Sequence, residues 1–255
     1  MTKISAVIIT YNEEGNIARC LQSLQAVADE VVVLDSGSTD NTIAISESFG
    51  AHVYHHPFDG YAEQKNRANS FASHSLILSV DADEVLSSEL TESIVNAKNH
   101  WKADGYRMNR LTMFCGKFMH HGGWYPDDNI RLFDKSKGEW RGAKVHESFQ
   151  LHSGSQGDLL AGDLLHYSYH SIDQYIATIT KYSRLKAEVL YEAGKKSSLL
   201  ALVFSPIWKF FMTYVLKMGF RDGLRGFIVS VGAAHGVFVK YAVLFQLTRF
   251  SKRTS

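Results

Sequence analysis

In the stretch LILSVDADEVL, residues 76–86, a hydrophobic run stops at three acids, Asp81, Asp83 and Glu84, set within four positions. SLILSV (75–80) has the length and apolar content of a buried strand. Carboxylates this close repel one another unless a cation, solvent or protonation relieves them, and hard oxygen ligands suit Mg2+ or Mn2+ bridging to phosphates. An Asp-x-Asp pair is a common pattern by chance; its place at the end of a strand gives it weight.

Upstream, short β-branched runs alternate with helical periods, the pattern of βα units around a mostly parallel sheet. SAVIIT (5–10) reads as a first strand, after which Asn12 is expected to cap a helix with Ile17, Leu21 and Leu24 on its apolar face. EVVVLD (30–35) is a second strand, and STDNTIAISESFG offers Ser38 or Asp40 as a cap, a short helix and Gly50 as its stop. HVYHH (52–56) is a third strand, 59–73 a helix, and SLILSV the fourth strand. Ligands of open α/β sheets bind beyond the carboxyl ends of the strands, so Asp35 and Asp81 are expected to share one cleft. A single Asp at such a place equally serves to cap the next helix.

With 45% hydrophobic and 21% charged residues over 255 positions, the chain has the composition of a globular protein, which excludes disorder as the default. Its two cysteines, Cys20 and Cys115, encode no disulfide framework and fit a reducing compartment. Asn12, Glu13 and Glu14 interrupt the start before an apolar run could become a leader, so the expected location is cytoplasmic. The net charge of +1 hides an asymmetry: residues 1–180 hold 14 Lys and Arg against 23 Asp and Glu, and residues 181–255 hold 13 against 3. These balances, −9 and +10, point to different partners for the two parts.

The ordered set VIITYNEEGNIARCLQSL, VVVLDSGSTDNT, QKNRA and SVDADE, covering roughly residues 3–90, resembles the family 2 glycosyltransferases, inverting enzymes of the GT-A fold that use nucleotide-diphospho-sugars. By that resemblance Thr10, Tyr11, Glu13 and Asp35 would line the nucleoside pocket, with Lys65 and Asn66 near the nucleotide. Asp83 would bind a divalent metal, Mg2+ or Mn2+, and Asp81 would help through the ribose or the metal. The acidic TYNEEGN after the first strand counts against sugar nucleotidyltransferases, which carry a Gly-rich basic loop there. The reaction also needs a base for the acceptor hydroxyl, expected beyond residue 90.

The pattern GGWYPD, IRLF, VHE and LLHYSY within 122–169 resembles a bacterial subgroup that includes lipopolysaccharide core β-1,4-glucosyltransferases, which implies UDP-glucose as donor and a glycolipid acceptor. In that resemblance Glu147 is the leading base, with Asp127 and Asp128 as competitors. His146 and His166 are open between metal, phosphate and purely structural roles, His166 being the metal candidate. Trp124 and Tyr125 offer a face for a sugar ring or simply pack their loop. Arg131 is open between phosphate and a neighbouring acid.

The expected organisation is a GT-A domain over 1–170, its halves 1–90 for the nucleotide-sugar and 91–170 for the acceptor, followed by a helical extension over 171–255. In the extension, Ile172, Tyr175, Ile176, Ile179, Tyr182 and Leu185 share one helical face. Two apolar stretches follow, interrupted by Lys209, Lys217, His235 and Lys240 and expected to be punctuated by Pro206 and the glycines of 219–236. Their basic and apolar mixture favours helices lying in a membrane surface over buried helices or full spans, and the protein is expected on the inner face of the cytoplasmic membrane. No nucleic-acid motif accompanies the basic tail. Alternatives are a transferase for a polyprenyl-linked or exopolysaccharide precursor, and, from another class, a non-catalytic membrane adaptor.

Overall fold

The computed structural model describes residues 2–142 and 147–250. It contains two compact units: the chain up to Leu111 with Pro126–Tyr167, and Thr112–Tyr125 with the chain from Ser168 onward.

The first unit opens with β1 (Ile4–Thr10), α1 (Ile17–Leu24), β2 (Glu30–Asp35), α2 (Thr42–Ser48), β3 (His52–His55), α3 (Tyr61–Phe71) and β4 (Leu76–Ser79), the βα alternation expected of the sequence. It continues through β5 (Glu84–Leu86), α4 (Ser88–Asn99) and β6 (Gly105–Phe114), whose end enters the second unit, where β7 (Lys117–Phe118) pairs back on it. The chain returns as β8 (Asp128–Asp134), β9 (Gly138–Arg141), β10 (Ser148–Leu151) and β11 (Asp158–Tyr169). The main sheet has the order β3-β2-β1-β4-β8-β6-β11-β5. Its first four strands are parallel, whereas β8 pairs antiparallel with β4 and β6, and β5 pairs antiparallel with β11. Both faces are covered. Along β1, Ile4, Ala6 and Ile8 pack with α1 and α4 on one face, and Val7 packs with Ile77, Phe133 and Phe149 on the other, as the two-residue period of a strand requires.

Asn12 does not cap α1. It has φ +54°, its carboxamide oxygen accepts from the Thr39 N–H at 2.8 Å, and the helix begins only at Ile17. The left-handed turn diverts Asn12 into stitching together the loops after β1 and β2. Gly50, at φ +78°, does end α2, with its N–H on the Glu47 carbonyl at 2.9 Å.

The second unit is built on α5 (Ile172–Glu192), α6 (Leu199–Phe211) and α7 (Leu224–Phe250), with a π-helical turn at Met212–Leu216 and a 3-10 turn at Gly219–Asp222. Phe114, Met119, Tyr175 and Val229 form its core, Trp124 and Tyr169 packed against them. The buried face of α5 keeps Tyr175 and Ile179 of the expected one and departs from it elsewhere. Tyr175, Ser183 and Ala187 are buried, whereas Ile172 and Ile176 are exposed. Small residues decide this: a Cβ on Gly232 would lie 2.4 Å from the Tyr175 ring, and one on Gly236 would lie 2.7 Å from Ile179. Gly219 and Gly223 do interrupt the helical run, in the 3-10 turn and at φ +68° after it, whereas α7 runs unbroken through Gly226, Gly232 and Gly236 and α6 through Pro206.

Candidate active site

The register of the parallel strands sets Thr10 opposite Asp35 and Val7 opposite Ser79, so β1, β2 and β4 release their following loops at one edge of the sheet. Asp81 leaves β4 there. Strand β5 starts directly after Asp83, and its antiparallel pairing sets Glu84 opposite His166 of β11. The Tyr167 N–H donates to the Asp83 carbonyl at 2.9 Å, and the His166 Nε2 lies 3.1 Å from the Asp83 Oδ2. Residues more than eighty apart in sequence thus meet because two strands pair.

Two permanent cations answer the charge of Asp81 and Glu84. Lys65 Nζ stands 2.9 Å from Asp81 Oδ1, and Arg131 Nη2 stands 3.2 Å from Asp81 Oδ2 and 3.0 Å from Glu84 Oε1. The Asp81 N–H also donates to Glu84 Oε2 at 2.8 Å. Burial opposes ionisation of Asp81, yet Lys65 and Arg131 outweigh it and hold its carboxyl well below the usual carboxylate range. Fully buried Glu84 is pushed upward by desolvation, Arg131 opposing and Asp81 adding to the rise. Arg131 is driven above its ordinary value by Glu84 and Asp81 despite its own burial, and its Nη1 has no hydrogen-bond partner among the described residues. Lys65, 4% exposed, lies 4.5 Å over the Trp140 ring and reaches Glu147 Oε1 at 3.4 Å. Glu147 and Asp81 are therefore joined through one buried ammonium.

Asp83 stands apart in this cluster. Among the described residues its carboxylate faces the titratable His166 and no Lys or Arg. Burial lowers the affinity of His166 for a proton, but the hydrogen bond and charge of Asp83 outweigh that and raise it above the ordinary histidine value. One carboxylate with spare lone pairs beside an imidazole fits the donor chemistry of Mn2+ or Mg2+, ions that take one or two protein ligands and complete their shell with water and substrate phosphates. No cage of three His, Cys, Asp or Glu side chains occurs among the described residues. Glu13 belongs to the same neighbourhood: burial raises its carboxyl, Asn16 opposes, and the charges of Asp83 and Asp40 add.

Other candidates are placed differently. Buried Asp35 accepts from the Gly37 and Ser38 N–H groups at 2.8 and 2.9 Å, so its carboxylate shapes its own loop. Thr10 is buried, its hydroxyl without a hydrogen-bond partner among the described residues, and Tyr11 is exposed. The Asn66 amide is taken up by the Trp140 backbone, donating to its carbonyl and accepting from its N–H, each at 2.9 Å. Asp127 pairs with Arg110 at 2.6 Å and Asp128 with Arg107, while Glu147, paired with Lys65, is joined through it to Asp81. Trp124 packs edge-on to Phe114 and tilted against Tyr169 and Tyr175 in the second unit, and Tyr125 meets the His120 ring. His146 lies outside the described residues. The sequence reading missed Arg110, half-buried and acted on by Glu84, and did not match Glu84 to Arg131. Arg110 sits in RMNRLTMF, a segment with Arg107, Asn109 and Thr112 beside it, so no local signal set it apart.

Residues 5–144 match the model of glycosyl transferase family 2. Relatives include an uncharacterized glycosyltransferase of Rickettsia typhi, 34% identical over 262 residues that span 99% of this chain and 90% of that protein. The lipopolysaccharide core biosynthesis glycosyltransferase LpsC of Rhizobium meliloti is 33% identical over 257 residues, 95% of this chain and 92% of that one. Among solved structures, S. aureus TarS 1–349 in complex with UDP aligns over 100% of this chain and 93% of its own at 15% identity, with a TM-score of 0.47. The family match takes in Asp35, Asp81 and Asp83, and the relatives run almost end to end with this sequence. The α/β unit is a GT-A architecture, and the chain belongs to glycosyl transferase family 2.

Proposed function

We propose that this chain is an inverting, metal-dependent hexosyltransferase that moves glucose from UDP-glucose to a membrane-held glycolipid during lipopolysaccharide or lipooligosaccharide core assembly. The observation that carries the proposal is the division within the acidic cluster: Asp81 and Glu84 are neutralised by Lys65 and Arg131, and Asp83 faces only His166 among the described cationic groups. The core-assembly role and glycolipid acceptor are taken from the likeness to LpsC. UDP-glucose rests on the subgroup resemblance of GGWYPD, IRLF, VHE and LLHYSY.

In this reading Asp83 and His166 hold the divalent ion, which when bound supplies positive charge against the departing diphosphate. Lys65 and Arg131 keep Asp81 oriented at the sheet edge and add positive potential where the nucleotide leaves. Glu147 takes the proton of the acceptor hydroxyl as its oxygen bonds to the anomeric carbon. The bond from that carbon to the nucleoside diphosphate breaks on the opposite face, which inverts the centre. The exposed apolar residues of α6 and the basic side chains of the second unit seat the enzyme on the inner leaflet, where the acceptor is held.

Titration of UDP-glucose into the protein and into Asp83→Ala, in Mn2+ and in chelator, tests the assignment. Affinity that depends on Mn2+ in the native protein and is lost in the folded variant is expected. Unchanged affinity of the variant in Mn2+ removes Asp83 from the donor site.

A further inference from the structure

Between α6 and α7 of the second unit runs an open groove of about 450 Å³. Phe204, Trp208, Met212 and Val237 form its apolar walls, and Lys209, Lys240 and Tyr241 also line it. Lys240 Nζ stands 4.3 Å over the ring of Tyr241, and Lys209 is half-buried. The charged groups that act on Lys209 are all lysines: after burial, Lys217, Lys186 and Lys240 push its ammonium below the ordinary value. Neither groove lysine forms an ion pair with a carboxylate among the described residues.

Cations held against apolar walls without a counter-charge are an unfavourable arrangement for the protein alone. A polyanion such as nucleic acid answers the charge and leaves the walls in water, and a neutral sugar answers neither. An amphiphile answers both, its anion meeting the lysines and its chain covering Phe204, Trp208 and Met212. We infer that this groove binds the phosphoryl head and first methylenes of one anionic lipid molecule. The inference deepens the membrane-surface reading above and rests on it for the source of the lipid. It makes attachment a matter of one seated lipid as well as of general surface charge.

The full-length protein provides its own reporter, since Trp208 lines the groove; its emission is taken as the difference from a Trp208→Phe variant. The probes are dihexanoyl phosphatidic acid below its micelle concentration, dihexanoyl phosphatidylcholine and inorganic phosphate. A saturable response to phosphatidic acid is expected, with much weaker responses to the other two. Each basic side chain near anionic lipid is worth about fivefold in affinity, so Lys209→Gln/Lys240→Gln should raise half-saturation roughly 25-fold. Lys195→Gln/Lys196→Gln removes the same charge from an exposed position outside the groove and should change it less than about twofold. An equal response to inorganic phosphate, equal losses in the two double variants, or silence toward phosphatidic acid overturns the inference. Sedimentation with phosphatidylglycerol vesicles separates this failure from that of the broader reading. A protein that binds vesicles while Trp208 stays silent keeps its membrane surface and loses the groove, and one that ignores such vesicles loses both.

Discussion

Asp81 and Asp83 are one residue apart from being neighbours and meet opposite surroundings. Asp81 is fixed by Lys65 and Arg131, and Asp83 turns to an imidazole. Glu147→Gln should keep donor binding and lower transfer by about 10²- to 10⁴-fold, the usual contribution of a general base. If Asp127→Asn or Asp128→Asn is the crippled variant in the same assay, the base is assigned to the wrong loop. Arg131→Met leaves Glu84 without its buried partner and Asp81 with Lys65 alone, and should destabilise the fold by about 3–5 kcal/mol, read from urea unfolding. A second change, Glu84→Gln, should recover part of that loss, and an Arg131→Met protein as stable as the native one would contradict the assigned pairing. At this scale the acids were legible because three carboxylates after a strand are conspicuous. Arg131 was legible as a partner for phosphate or a neighbouring acid, and it meets the acids Asp81 and Glu84; that Lys65 joins them was not legible, since helix and strand positions are set only by the folded sheet. Trp124 shows the converse, because an aromatic beside two glycines reads alike whether it faces a sugar or, as here, Phe114 and Tyr175.

Among the elements, the parallel half of the sheet was readable from its strands, and EVVVLD matches β2 residue for residue. The antiparallel half was not, because β8, β6 and β11 are polar enough on their alternate positions to read as chemistry and loops. The pairing of β5 with β11 creates the Asp83–His166 contact, and no local pattern announces a partner eighty residues away. The helices misled in the other direction. Of the expected α5 face, Tyr175 and Ile179 do meet α7, at Gly232 and Gly236, but Ile172 and Ile176 stay exposed. Gly232→Ala forces a methyl group into the Tyr175 ring and should cost about 1–3 kcal/mol, seen as a fall in thermal midpoint. An unchanged midpoint would mean that α5 and α7 yield easily at this crossing.

For the whole molecule, the opposed charges of residues 1–180 and 181–255 lead to the expectation of two kinds of partner, and composition alone carries it. It could not foretell that Thr112–Tyr125 joins the helical unit, because that follows from Phe114 and Met119 packing with Tyr175 and Val229. Helix α6 keeps Phe204, Ile207 and Trp208 about three-fifths exposed, and Leu199–Leu216 and Leu224–Phe250 are long and apolar enough to cross a membrane. Anionic vesicles should therefore bind the protein more tightly than neutral ones. Added salt should weaken the attachment without abolishing it, since screening acts on the lysines and not on the buried apolar area. The most direct test of the proposed activity is nucleotide release by the full-length protein from a panel of UDP-, GDP- and dTDP-sugars, with a lipopolysaccharide-core glycolipid in anionic vesicles. Release from UDP-glucose that requires both Mn2+ and the glycolipid is the predicted result; release unaffected by chelator, or inertness toward every donor with the glycolipid present, would contradict it.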